Sequence, residues 1–258
     1  MSPPDPHRRL VRAGGAVLKL LYPRGRERRV LAGPLRGARF VVRPAMGVAY
    51  ALGRDGQNLR ALAGRVPAGG CAYDVGGNRG QVALLLARAV GPAGRVVSLE
   101  PVPALADDLE RNLRLNGFDR ARVVRAAAAD AEGTAEFDFS EAHATRGALR
   151  GTGPAGEAAG DRLVVRTVTL DGLVAAGERP PDVLKIDVEG AAAAVLRGAR
   201  AVLERHAPAV YVELHGPAER AGVRDELLAR GYRAETLDGR PVQDPTADRA
   251  ADLWCVKP

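Results

Sequence analysis

A chain of 258 residues with 46% hydrophobic side chains can bury one large core, and no run of about 18 uncharged apolar residues is present to cross a bilayer. The net charge of +7 excludes less than it suggests, because eight Lys/Arg against two Asp/Glu in residues 1–30 carry +6 of it. The body is nearly neutral, so the basicity belongs to an arm and supports a nucleic-acid partner only weakly.

In chain order, residues 1–22 alternate basic and aliphatic positions (Arg8, Arg9, Leu10, Val11, Arg12, then Val17, Leu18, Leu20, Leu21). They predict an amphipathic helix, either docked on the body or free for peripheral membrane or partner contact. The apolar core Val17–Leu21 is too short and too interrupted for a signal peptide. Cys71 and Cys255 fall in expected strands and read as two buried thiols. Together these features place the protein in the cytoplasm. Two β-rich runs, 29–31 and 39–42, flank Gly33-Pro34 and Arg36-Gly37 and predict a hairpin, followed by a helix over 57–65. Residues 1–66 are thus expected to form a basic N-terminal extension that caps the substrate side of a main domain over 67–258.

From residue 70 strands alternate with helices. Strands are expected at 71–75, 95–99, 122–125, 135–139, 163–168, 183–186, 209–214, 232–237 and 253–256. Helices fit 81–90, 103–116, 191–204 and 218–230. This alternation means an α/β fold with a mainly parallel sheet. Residues 141–161 are rich in Gly and Ala without periodicity and read as a loop insert.

The first candidate site is the loop Asp74-Val75-Gly76-Gly77-Asn78-Arg79-Gly80. Its glycines permit a tight turn and close approach of a ligand to the backbone, at the strand ends where doubly wound sheets bind ligands. It is not a dinucleotide fingerprint, since Asn78 and Gln81 stand where the second and third glycines belong. Asp74 entering the turn suits an ammonium, met directly or through water. Glu100, one βαβ unit later, can accept two hydrogen bonds from a ribose diol.

Here the sequence resembles the FkbM-type methyltransferases. The resemblance runs from Pro67 to the C-terminus and rests on six segments: D-V-G-G-N-R-G at 74–80, G-R-V-V-S-L-E-P at 94–101, E-R-N-L-R-L-N-G at 110–117, T-L-D-G-L at 169–173, K-I-D-V-E-G at 185–190 and V-E-L-H at 212–215. It implies a Rossmann-like class I methyltransferase domain, with a seven-stranded sheet, helices on both faces and a reversed last strand. It further implies S-adenosyl-L-methionine as cofactor and O-methylation of a small molecule, such as a secondary metabolite or a sugar. Gly77 stands where alanine is more usual, a departure expected to be neutral. The expected cofactor-binding residues are Asp74, Gly76, Asn78, Gly80, Glu100 and Asp130, the last facing the adenine amino group or else capping a loop.

Asp187 and Glu189 would lie beside the transferable methyl group and orient or deprotonate the acceptor hydroxyl, an effect worth about 10²–10⁴ in rate. Glu189 also reads as a helix-start charge, and Lys185 as a partner for a nearby carboxylate. Glu213 and His215 share a face of the next strand. His215 is a candidate general base, giving Asp187, His215 and Glu189 as the catalytic set. Asp187, Glu213 and His215 could instead hold a divalent cation, with Mn²⁺ or Zn²⁺ fitting the mixed ligands better than Mg²⁺; metal is the less favoured reading. Two other functions compete: an RNA methyltransferase docking through its basic arm, and a non-catalytic binding module on the same fold. The first lacks an Asn-Pro-Pro-Tyr base clamp, and the second is opposed by the intact site residues.

Overall fold

The computed structural model describes residues 26–41, 56–139, 147–149 and 161–258. It divides into two units at Gly56–Gln57. In the first, β1 (Glu27–Arg29) pairs antiparallel with β2 (Arg39–Val41), as the alternation at 29–42 predicts. Left-handed Gly33 and Gly37 turn the chain between them. The basic helix expected over 1–22 lies outside the described residues.

Helix α1 (Gly56–Ala63) leads into the second unit. There β3 (Cys71–Val75), α2 (Gln81–Val90), β4 (Arg95–Leu99), α3 (Pro103–Leu115) and β5 (Arg122–Val124) follow one another. All five residues of β3 are buried, as a strand covered on both faces must be. Helix α3 starts on a proline in its first turn and buries Leu105, Leu109 and Leu113, one stripe at helical spacing.

The chain then forms a second sheet. Strand β7 (Gly133–Phe139) pairs antiparallel with β9 (Asp161–Val168), flanked by β6 (Ala127–Ala128) and β8 (Gly147–Leu149). The runs 135–139 and 163–168, predicted as strands in the α/β series, lie here and not in the main sheet. They pair with each other antiparallel, from Gly133 opposite Thr167 to Phe139 opposite Asp161. The insert expected over 141–161 lies mostly outside the described residues.

After α4 (Leu170–Ala175), β10 (Val183–Ile186) returns to the main sheet beside β3. The helix expected over 191–204 is two, α5 (Ala192–Arg197) and α6 (Arg200–Arg205). They break at Gly198, where a Cβ would lie 2.0 Å from the Ala129 carbonyl oxygen. The Asp171 carboxylate then accepts from the Ala201 and Val202 amides and caps α6. Strand β11 (Ala209–Glu213), α7 (Pro217–Glu226), β12 (Arg233–Glu235), β13 (Pro241–Val242) and β14 (Asp252–Val256) complete the unit.

The main sheet has the order β13-β12-β14-β11-β10-β3-β4-β5. Strands β3, β4, β5, β10 and β11 are parallel, and β14 is inserted antiparallel between β11 and β12. The reversed strand is therefore as expected. The count is eight and not seven, because left-handed Gly239 turns the chain so that β13 can pair with β12. From β3 the chain builds outward to β5 and then restarts at β10 on the other side of β3. The carboxyl ends of β3 and β10 thus bound the crevice where such sheets take ligands.

Candidate functional site

The turn after β3 is built from left-handed residues: Gly76 (φ 81), Asn78 (φ 48) and Gly80 (φ 88). Gly76 is irreplaceable by any side chain, since a Cβ would lie 2.0 Å from the Asp187 carbonyl oxygen. The amides of Gly76 and Gly77 donate to the Leu99 carbonyl at 3.1 and 2.9 Å, tying the turn to the end of β4. A Cβ on Gly77 would sit 2.2 Å from Ser98 Oγ and 2.6 Å from Leu109 Cδ1, so glycine fits these surroundings and alanine would have to displace a side chain.

Glu100 faces the turn from just past β4. Its carboxylate accepts from the Asn78 amide at 2.8 Å and the Val102 amide at 2.9 Å. Burial pushes it up to about 7 despite both hydrogen bonds. Asp74 is fully buried, with Lys185 Nζ 3.0 Å from its Oδ1 and Ser98 Oγ donating to its Oδ2 at 3.0 Å.

The second cluster lies at the ends of β10 and β11. Asp187 Oδ1 is 3.1 Å from His215 Nε2, and Glu189 Oε2 is 3.6 Å from His215 Nδ1. Burial opposes the charge of Asp187, but Lys185 and His215 hold it below the usual carboxylate range. The hydrogen bond that the His215 ring donates to Asp187 raises His215 to about 9. Burial, with the Asp187 charge beside it, raises Glu213 to about 7. One ligand atom from each of Asp187, Glu213 and His215 lies within 4.8 Å of the others, close enough for a shared cation. Glu219, from the first turn of α7, accepts from the amides of Gly190 (2.9 Å) and His215 (2.5 Å) and so joins the two loops.

One cavity joins the turn after β3 to the acidic groups after β10. Gly76, Asn78, Glu100, Asp187 and Glu189 line its polar side, and among the described residues no Lys or Arg does. Pro101, Val102, Leu105, Ala127, Phe137 and Phe139 add apolar surface to the lining. Asp74, Gly80, Glu213 and His215 lie outside that lining, although His215 touches Asp187 and Glu189. Asp130 is also outside it, half exposed and paired with Arg197 at 2.7 Å.

Three features escaped the sequence reading. Phe137 and Phe139 reach the cavity from the second sheet; two aromatics at i, i+2 before an irregular insert were the available signal. Arg79 pairs with Asp108, both buried, and Asn112 Nδ2 donates to the Arg79 carbonyl at 2.8 Å, so α3 clamps the turn. Asp108 and Asn112 stand at i, i+4 beside the apolar stripe of α3, a spacing that marks a polar clamp. Glu219 was legible only as an acidic first-turn residue.

Both cysteines are buried free thiols raised to about 12, unsuited to nucleophilic work.

Residues 74–234 match the family model of the methyltransferase FkbM domain. No curated protein matches the sequence. Among solved structures, a methyltransferase FkbM from Methylobacillus flagellatus is 18% identical with a TM-score of 0.50, over 72% of this chain and 43% of that one. This chain thus spans less than half the length of that protein. An S-adenosylmethionine-dependent O-methyltransferase from Thermotoga maritima is 18% identical (TM-score 0.46; 84% and 66% covered). An rRNA methylase from Streptococcus thermophilus is 9% identical (TM-score 0.46; 79% and 95% covered). What is shared with the first of these is the Rossmann-like methyltransferase fold.

Proposed function

The chain belongs to the FkbM methyltransferase family, and from that premise we propose that it transfers a methyl group from S-adenosylmethionine to a hydroxyl of a small molecule. The observation that carries this reading is the composition of the cavity lining: apolar side chains together with the Glu100, Asp187 and Glu189 carboxylates, and no cation among the described lining residues. The donor set fits the cofactor. Val102, Leu105, Phe137 and Phe139 offer an apolar surface for a purine. Glu100 has lone pairs left for a ribose diol, and Asp187 and Glu189 suit a sulfonium and an ammonium. When bound, S-adenosylmethionine supplies an electrophilic methyl group.

The residues then align and deprotonate. Asp187 accepts a hydrogen bond from the acceptor hydroxyl and holds its oxygen in line, and alignment can supply roughly 7–11 kcal/mol of a barrier. The proton leaves to the Asp187–His215 pair as the oxygen gains its new bond to carbon. Glu189 steadies the imidazole from its other nitrogen. Glu219 fixes the two loops on which these groups stand.

The test is a screen of hydroxylated small molecules with the purified protein and S-adenosylmethionine, read by mass spectrometry as a gain of one methyl. A methylated alcohol is the expected product; methylation of RNA alone contradicts the assignment.

A second reading rests on the convergence of Asp187, Glu213 and His215. These three could hold a divalent cation that would bind the acceptor oxygen in place of a general base. Activity that disappears with EDTA and returns with one metal favours it, and activity that survives EDTA favours the base.

A further inference from the structure

A row of polar side chains crosses three central strands below the cavity. Lys185 of β10 pairs in register with Asp74 of β3, and Asp74 with Ser98 of β4. All three are essentially inaccessible, at 1%, 0% and 0% exposure. Lys185 Nζ lies 3.0 Å from Asp74 Oδ1, 3.0 Å from the Gly76 carbonyl oxygen, 3.4 Å from that of Val75 and 3.5 Å from Asp187 Oδ2. One ammonium therefore touches the strand carboxylate, two carbonyls of the turn and the carboxylate at the acidic end of the cavity. A buried ion pair is a poor source of stability, since apolar replacements of both partners are often neutral or better. Its position accounts for it better than its energy does.

We infer that Asp74 serves the turn through Lys185 and does not touch the cofactor, and that Lys185 is a positioning residue that orients Asp187 and screens its charge toward the cavity. Asp74 has one oxygen against the ammonium and the other against Ser98, and it does not line the cavity. The ammonium group that an acidic residue entering this turn would be expected to receive is already present, inside the protein, as Lys185. Only Asp187, with its Oδ1 turned to His215, carries charge from this row to the cavity wall.

The inference rests on the proposed cofactor for its binding arm only, and the experiment separates the two. The variants are Lys185→Met, Asp74→Asn and both together, measured by thermal denaturation without ligand and by calorimetric titration with S-adenosylhomocysteine and S-adenosylmethionine. Lys185→Met leaves Asp74 buried without its counter-ion, and the melting temperature is expected to fall by roughly 10 °C. The double variant removes both charges and should recover most of that loss. It should bind neutral S-adenosylhomocysteine within about threefold of the wild type. Cationic S-adenosylmethionine should gain at least about threefold relative to S-adenosylhomocysteine, because Asp187 then faces it unscreened.

A double variant as unstable as Lys185→Met overturns the pairing. A stable double variant that loses about tenfold in S-adenosylhomocysteine affinity makes Asp74 a cofactor ligand. An unchanged preference between the two ligands removes Lys185's influence on Asp187. If the wild type binds neither ligand, the proposed cofactor is wrong, and the denaturation series still decides whether Asp74 and Lys185 act as a pair.

Discussion

The two ends of β4 handle buried charge in opposite ways. At its start, Arg95 donates to Glu178 at 3.0 Å and Arg122 of β5 does so at 2.6 Å. Burial opposes ionisation of Glu178, yet the two guanidiniums hold it below the usual carboxylate range. Just past the other end, Glu100 has only the amides of Asn78 and Val102 and is pushed up to about 7. Glu213, farther along the same edge of the sheet, is raised to a similar degree. The amino end of the sheet is electrostatically complete, and the carboxyl end is not. Groups poised in this way are what a ligand or a proton transfer can use.

The strongest way to break this comparison is to remove the groups proposed to handle the proton. Asp187→Asn and His215→Ala should each lower kcat by about 10²-fold or more, with little change in affinity for neutral S-adenosylhomocysteine by calorimetry. Full activity in both variants would move the chemistry away from the carboxyl edge. Because His215 is raised to about 9, the wild-type rate should climb between pH 7 and 9 as the ring loses its proton, and His215→Ala should lack that climb.

Next in size, Glu100→Ala should weaken S-adenosylhomocysteine binding by about 1–3 kcal/mol, read by titration calorimetry. Unchanged affinity would show that the ribose lies elsewhere.

Stability then distinguishes the two ends without any ligand. Glu178 is depressed in the folded state, so its contribution is present above the unfolded value and is lost as the pH falls through the folded one. Glu178→Gln should therefore lower the melting temperature at pH 7 by several degrees, with the gap closing in acid. Glu100 has the opposite sign. Its folded value is raised, so the folded state holds the extra proton between about 4.5 and 7, and stability declines as pH rises through that window. Glu100→Gln should melt higher than the wild type at pH 8 and alike at pH 5. Parallel pH profiles for the two variants would erase the distinction.

Gly77→Ala tests the packing of the turn alone. It must displace Ser98 or Leu109 and should cost about 1–3 kcal/mol in chemical denaturation.

The parallel core of the fold was legible because its signals are local. The buried run Cys71–Val75, the stripe of Leu105, Leu109 and Leu113, and the glycines at 76 and 80 each declare one element. The second sheet was not, because the pairing of β7 with β9 depends on which strands meet across an insert, and strand periodicity does not encode partners. The same limit governed the site. Gly76, Asn78, Glu100, Asp187 and Glu189 follow strand ends and could be placed by counting, and all five line the cavity. The burial of Asp74 against Lys185, on strands that are neighbours in the sheet but far apart in the chain, is a property of the assembled sheet. So is the pairing of Asp130 with Arg197, which leaves it outside the cavity lining.

The carboxyl edge of the sheet is proposed to hold S-adenosylmethionine. Thermal denaturation with S-adenosylhomocysteine and with NAD, each at increasing concentration, tests it most directly. A ligand that binds only the folded state adds about 2.7 kcal/mol of stability at a hundredfold excess over its dissociation constant. S-adenosylhomocysteine is predicted to raise the melting temperature in this concentration-dependent way while NAD leaves it unchanged; a rise with NAD and none with S-adenosylhomocysteine would contradict the account.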